Sequence, residues 1–177
     1  MPRVIRVVPY DPAWPEFYAA ERDLLAPIFA SLGPVIHHIG STAVPGLAAK
    51  PIIDVMIEVR AIDGVDRLNP AMRAAGYTPM GEFGIPGRRY FIHGPGPEEE
   101  RSGQVHVFAA GSPDTERHLA FRDYLAAHPE EAAAYGRLKS ELARRHPHDI
   151  EAYMAGKDGF VKERQRRALR WRGRVEG

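Results

Sequence analysis

Asp54 is the residue in this sequence best placed to do chemistry. It interrupts an apolar, β-branched run, Ile52-Ile53-Asp54-Val55-Met56-Ile57-Glu58-Val59, which reads as a central, well-covered strand. A carboxylate buried there without a partner is costly, so Asp54 needs one. Alternation puts Asp54, Met56 and Glu58 on one face and Ile53, Val55, Ile57 and Val59 on the other. Upstream, Val35 to Ile39 reads as a strand running into Gly40-Ser41. A glycine there lets the backbone approach a ligand closely or take up a positive φ. His37 and His38 point to opposite faces and cannot chelate together; His38 shares a face with Gly40 and is the better site residue. Lys50 precedes Pro51, so its backbone is extended, and its side chain is either solvated or turned toward a phosphate. Gly40 to Lys50 is not a Walker A loop, because no Gly-Lys-Ser/Thr follows.

The spacing resembles a known signature. Gly40-Ser41, a gap of twelve residues, then Asp54 in an apolar strand is similar to the opening of polymerase-beta-like nucleotidyltransferases. The whole run His38-Ile39-Gly40-Ser41-Thr42-Ala43-Val44-Pro45-Gly46-Leu47-Ala48-Ala49-Lys50-Pro51-Ile52-Ile53-Asp54 resembles the GrpB family more specifically. That family is also found fused to some dephospho-CoA kinases. Gly84-Ile85-Pro86-Gly87-Arg88-Arg89, His106-Val107-Phe108, Phe121-Arg122-Asp123-Tyr124-Leu125, Tyr135 with Leu138-Lys139, Tyr153 with Lys157, and Phe160 continue the resemblance over most of the chain. One departure is Gly103-Gln104, where family members often carry further histidines before the position of His106.

The resemblance implies an α+β fold: a nucleotidyltransferase-like mixed β-sheet with flanking helices and a C-terminal helical segment. It also implies an activity, transfer of a nucleotidyl group from a nucleoside triphosphate to an unknown acceptor. Gly40 and Ser41 would then contact phosphate, Asp54 would hold Mg²⁺ or Mn²⁺, and Lys50 would offset charge. Arg88 and Arg89 would lie nearby, and Lys139 and Lys157 fall on late helices where the superfamily often places nucleotide-binding residues. The ligand expected is a nucleotide or another phosphate-bearing small molecule.

The superfamily's metal centre uses Asp-x-Asp on the second strand and a third carboxylate on a later strand. Here Met56 occupies the second position, and a thioether is a poor ligand for a hard cation. Glu58 faces the same way, but it lies about 7 Å further along the strand and does not replace the missing ligand. The third position falls on His106. Three readings of Asp54 stay open. It holds one metal with His106, a mixed pair suiting Mn²⁺ or Zn²⁺ better than Mg²⁺. It pairs with Lys50, Arg88 or Arg89 in an anion pocket. Or it is structural and accepts backbone hydrogen bonds from the glycine turn. Ser41 also reads as a turn former, and His106 as a satisfied core histidine. Two rivals therefore stand beside transfer: a catalytically degenerate protein that binds a nucleotide or CoA-like ligand, and an RNA- or protein-interaction module using the basic C-terminal helix.

The bulk properties narrow the field. A chain of 177 residues suits one domain, with a sheet-containing part to about residue 111 and a helical part from about 112. Absence of cysteine removes disulfides, thiol nucleophiles and thiolate metal sites. No apolar run is long enough to span a bilayer, and Met1-Pro2-Arg3-Val4-Ile5-Arg6 lacks a signal peptide's apolar segment. The expectation is a cytoplasmic protein with no membrane partner. Richness in Ala, Arg, Gly and Pro reads as the mark of a GC-rich bacterial genome. A net charge of +1 predicts no polyanion partner from the molecule as a whole. The tail is less even: Lys162 to Arg174 holds seven Lys or Arg against one Glu, either a phosphate-contacting helix or a solvated helix end.

Elements follow from local signals. Val4 to Val8 reads as a short edge strand. Asp11 caps a helix that begins at Pro12, with Trp14, Phe17, Leu24, Leu25, Ile28 and Phe29 as its apolar stripe and Gly33-Pro34 as its end. Trp14 and Phe17 read as core rather than as base-stacking residues. Gly64 to Ala75 reads as a second helix, and Tyr77 to Met80 as a short strand. Arg88 to Ala109 reads as a hairpin with a long, mobile polar loop from Gly94 to Gly103. Ser112-Pro113, Pro129 and Asp149 open three further helices.

Overall fold

The apolar run around Asp54 becomes β2 (Ile53–Val59) of a five-stranded sheet in a computed structural model that describes residues 4–94 and 101–176. Most of the polar loop expected between Gly94 and Gly103 lies outside the described residues. The chain divides into a sheet unit, Ala13–Ile39 with Ile52–Thr115, and a helical unit, Met1–Pro12 with Gly40–Pro51 and Glu116–Gly177.

In the sheet unit the strands are β1 (Val35–Ile39), β2, β3 (Tyr77–Pro79), β4 (Arg89–His93) and β5 (Gly103–Ala109), in the order β1-β2-β5-β4-β3. Only β2 and β5 run parallel. The register fixes the faces. Asp54, Met56 and Glu58 share one face with His37 and Ile39 of β1, Gln104, His106 and Phe108 of β5, and Tyr90 and Ile92 of β4. The other face carries Val55, Ile57, Val105, Val107 and Phe91, all fully or almost fully buried.

Helix α1 (Trp14–Phe29) lies on that second face, since Tyr18 stacks on His38 at 4.7 Å and Glu21 bonds His93. It starts two residues later than the capping signal at Asp11 places it, with Ala13 at the N-cap position and Pro15 in the first turn. The stripe also differs. Trp14, Glu21, Leu25 and Phe29 are buried, whereas Phe17 and Leu24 are about half exposed. Spacings of seven, four and four residues keep the buried set on one side, and residues 17 and 24 fall outside it. Gly33, at φ 62°, ends the helix region as expected. The second helix is broken: a 3₁₀ segment covers Ile62–Leu68, and α2 is only Asn69–Ala74. Pro70 explains this, because inside a continuous α-helix it would delete a hydrogen bond and clash one turn back, whereas in a first turn it does neither.

The helical unit is built from α3 (Pro113–Ala127, from Glu116 onward), α4 (Pro129–Arg145) and α5 (Ile150–Glu176). Ser112 Oγ accepts from Asp114 N at 3.3 Å, and Asp149 Oδ1 accepts from Ala152 N at 3.0 Å, so both capping signals hold. Val44 and Leu47 pack with Ala120, Leu125, Tyr135 and Ala168 in one buried cluster. A second cluster joins Ile5, Leu142, Ala143 and Tyr153. Val4 to Val8 is therefore not an edge strand of the sheet. Val8 makes an isolated antiparallel bridge to Ala49, and Ile5 N donates to Pro147 O. Among the described residues, no helix is long and apolar enough to cross a membrane.

Candidate functional site

The expected site residues fall into two groups. Asp54, Glu58, His38, Arg88, Arg89 and His106 belong to the sheet unit; Gly40, Ser41, Lys50, Lys139 and Lys157 belong to the helical unit.

In the sheet unit the parallel pairing of β2 with β5 sets Met56 opposite His106. His106 Nε2 lies 3.2 Å from Asp54 Oδ1, and His106 Nδ1 lies 3.2 Å from Arg88 Nη1. Arginine only donates, so Nδ1 is the acceptor, Nε2 carries the proton, and the ring donates to Asp54. Arg88 is buried and makes two further bonds, from Nε to the Glu82 carbonyl at 3.2 Å and from Nη2 to the Phe83 carbonyl at 2.9 Å. Burial holds its pKa below the ordinary arginine value. Its guanidinium also sits 4.7 Å from the Tyr90 ring centroid, and Tyr90 lies 5.3 Å from the His106 ring. Asp54 thus reaches Arg88 through His106. Sequence reasoning missed Tyr90, although its parity on β4 matches that of His106.

Two expected residues lie on the other face, and Glu58 is paired with a neighbour on its own. Arg89 points to the opposite face and binds Asp66 in a two-pronged pair, 2.8 Å from Nε and 3.3 Å from Nη2. That pair lowers the Asp66 pKa. His38 lies opposite Val55, on the face away from Asp54, and His37 takes the Asp54 face instead. The reason is register: Ile39 aligns with Asp54, so odd positions of β1 share a face with even positions of β2. His37 Nε2 pairs with Glu58 Oε2 at 2.7 Å, which accounts for Glu58.

In the helical unit, Gly40 has φ 75° and ψ −172°, a conformation essentially confined to glycine. The turn continues as a 3₁₀ segment, Ser41–Ala43. Lys139, only 2% exposed, places Nζ 2.7 Å from Ser41 Oγ and 4.5 Å from the Tyr135 ring centroid. Lys50 and Lys157 lie 5.2 and 5.4 Å from the centroid of one shared ring, Tyr153. The basic tail is partly neutralised within the unit: Lys162, Arg164, Arg167 and Arg172 pair with Asp158, Glu131, Glu163 and Asp123.

Tyr153 is fully buried, and its hydroxyl has no hydrogen-bond partner among the described residues. Burial pushes its pKa up to about 12. Tyr153→Phe keeps the ring beneath both lysines and removes the unmet hydroxyl. The variant should be as stable as the parent at neutral pH, or more stable by about 1 kcal/mol. Because the folded pKa exceeds the unfolded value of about 10, the tyrosine's contribution is complete below pH 10 and declines as pH rises toward 12. Urea unfolding at pH 7 and pH 11 should show a smaller alkaline loss in Tyr153→Phe than in the parent.

A two-magnesium centre of the kind the fold class uses does not fit these side chains. Met56 is fully buried at the second ligand position, and both ring nitrogens of His106 are already bonded. Among the described residues no group of three or more His, Cys, Asp or Glu side chains could hold a metal ion.

The Cid1 poly(U) polymerase shares the fold alone, with a TM-score of 0.52 at 10% identity over 78% of this chain and 42% of that one. The class is a nucleotidyltransferase-like mixed sheet with flanking helices. The chain belongs to the GrpB family: the profile described as GrpB protein matches residues 4–167. The conserved protein GrpB from Enterococcus faecalis superposes with a TM-score of 0.88 at 43% identity, over 93% of this chain and 98% of that one. UPF0157 protein YqkA of Bacillus subtilis is 46% identical over 96% of this chain and 49% of its own length. A dephospho-CoA kinase of Mycolicibacterium paratuberculosis is 30% identical over 94% of this chain and 46% of its own length. The chain spans about half the length of these two relatives.

Proposed function

We propose that this chain binds a phosphate-bearing ligand of the nucleotide or coenzyme A class at the Gly40-Ser41 turn, without two-metal transfer chemistry. The observation that carries this reading is Lys139, a buried ammonium held 2.7 Å from the Ser41 hydroxyl beside a glycine-only turn. Backbone N–H groups of such a turn and a desolvated ammonium favour an anion. Lys50 and Lys157 add two more cations to the same unit. The CoA arm of the proposal draws support from the dephospho-CoA kinase relative. Met56 in place of a carboxylate supports binding over transfer.

Thermal unfolding against ATP, CoA and dephospho-CoA, with and without Mg²⁺ or Mn²⁺, tests it. A ligand at a hundred times its Kd adds about 2.7 kcal/mol, a shift of roughly 5–10 °C for a chain of this size. We expect a shift that is lost in Lys139→Met and kept in Asp54→Asn. No shift with any ligand would sink the reading. A second reading, nucleotidyl transfer with Asp54 as metal ligand, is favoured by the placement of Asp54 on β2 of this fold. It predicts a metal-dependent shift lost in Asp54→Asn, with turnover of the triphosphate.

A further inference from the structure

Two charges of opposite sign on the Asp54 side of the sheet make no ion pair with one another. Asp54 Oδ1 accepts from His106 at 3.2 Å, and its Oδ2 has no hydrogen bond among the described residues. The Asp54 side chain is 26% exposed, so a ligand can reach that oxygen. The cation is Arg101, just ahead of β5. Its Nη1 donates to the Tyr90 hydroxyl at 3.4 Å. Its Nε is sealed from solvent without a partner, and its guanidinium has no ion pair among the described residues. These residues all belong to the sheet unit, within Ile52–Thr115.

Tyr90 ties the two charges to one place. Its ring is held by Phe83 and His106, each at 5.3 Å, and by Arg88 at 4.7 Å, and the residue is buried. Burial raises its pKa, Arg101 lowers it and Asp54 raises it, so the hydroxyl lies in the field of both charges. That hydroxyl accepts from Arg101, while its own proton has no acceptor among the described residues. The backbone root of Arg101 is pinned: Ser102 N donates to His93 O, and Ser102 O accepts from Ile53 N, both at 3.0 Å.

A sealed donor left unmet is costly, and partly buried opposite charges attract strongly. Yet Arg101 and Asp54 are each held by a neutral neighbour. Arg88 does not complete the set. Its Nε and both Nη atoms already bond, and Asp114 is the carboxylate whose charge acts on it. One cation and one anion remain. A simple anion would satisfy Arg101 and leave Asp54 unmet, and a simple amine would do the reverse. A zwitterion satisfies both.

We infer that Arg101, Tyr90 and Asp54 form a binding site for a free amino acid. The carboxylate of the ligand takes the planar fork of Arg101 and the Tyr90 O–H, and its ammonium takes Asp54 Oδ2. This site does not rest on the phosphate reading, whose Gly40-Ser41 turn belongs to the other unit.

NMR chemical-shift titrations test it with glycine, β-alanine and 4-aminobutyrate, whose two charges are set progressively further apart. Acetate and methylammonium, with one charge each, are the controls. At least one amino acid should bind the wild type, and both controls should bind on the order of tenfold more weakly. Arg101→Met and Asp54→Asn should each weaken the amino acid by a similar factor, and Tyr90→Phe by less. Arg101→Met should melt no lower than the wild type, because it removes an unmet donor. The inference is overturned if no amino acid binds, if a control binds as tightly, or if Arg101→Met and Asp54→Asn bind like the wild type. It is also overturned if Arg101→Met melts well below the wild type, which would make the guanidinium structural. The response to ATP is a separate readout: its failure removes the phosphate reading and leaves the amino-acid site standing.

Discussion

Replacing Arg88 with methionine should lower the stability of the protein by about 3 kcal/mol, the sum of two or three lost bonds from a charged donor. The guanidinium is only 7% exposed and has three acceptors: the carbonyls of Glu82 and Phe83 and Nδ1 of His106. Methionine fills most of the space and bonds none of them. Its removal frees the Gly81–Gly87 turn from β5 and leaves His106 without the donor that fixes its tautomer. At this chain length the loss corresponds to roughly 6–12 °C in Tm. Lysine should recover little, because a single ammonium cannot span three acceptors arranged for a planar fork. Urea unfolding gives the energy, provided the slope is unchanged. Nitrogen shifts of His106 report the tautomer, which should change from fully Nε2-protonated to a mixture. A loss below about 1 kcal/mol would mean that water replaces the guanidinium at this turn.

The features read correctly from sequence are those written locally. Period-two alternation in β2 separates Asp54, Met56 and Glu58 from the valines and isoleucines, and the sheet keeps that division. Ser112 and Asp149 cap helices because capping depends only on residues two or three positions ahead. What failed depends on partners distant in the chain. Parity along β1 cannot say which of His37 and His38 faces Asp54, because the answer lies in the pairing of Ile39 with Asp54. Arg89 looks like a phosphate ligand until Asp66, 23 residues away, is seen to hold it.

The site shows the same limit. Lys139 and Ser41 are 98 residues apart, and no periodicity links them. Only the family resemblance brought both into consideration. Phe83 and Tyr90, whose rings stack, are seven residues apart, a separation that gives no pattern either. The positive φ of Phe83 comes from the turn's closure by Arg88, in a stretch whose glycines predict a turn but not its shape. The sequence carries one further signal: Glu21 sits at a position of α1 that the spacing of Trp14, Leu25 and Phe29 marks as buried. A carboxylate on a buried stripe predicts a donor on the surface it faces.

That donor pair is Tyr77 and His93, and removing Glu21 should be the other severe loss in the sheet unit. Glu21 is 7% exposed. Its Oε2 accepts from the Tyr77 hydroxyl, and its Oε1 lies 2.5 Å from His93 Nδ1. The two rings stack at 4.3 Å. Gly103 keeps the space open, since a Cβ there would lie 3.3 Å from Oε1. Glu21→Ala strands a buried hydroxyl and a ring nitrogen and opens a void, so it should cost about 3–4 kcal/mol. Glu21→Gln retains the shape and an acceptor and should cost less. Tyr77→Phe should cost about 1–2 kcal/mol, and the double variant should lose clearly less than the sum, since the two residues share one bond. Burial and the Glu21 carboxylate both raise the Tyr77 pKa. The stabilisation is therefore complete below the unfolded value of about 10 and is lost as pH climbs above it. Tyr77→Phe should flatten that alkaline decline. Equal declines in parent and variant, or strict additivity in the cycle, would show that Glu21 and Tyr77 are neighbours without being coupled.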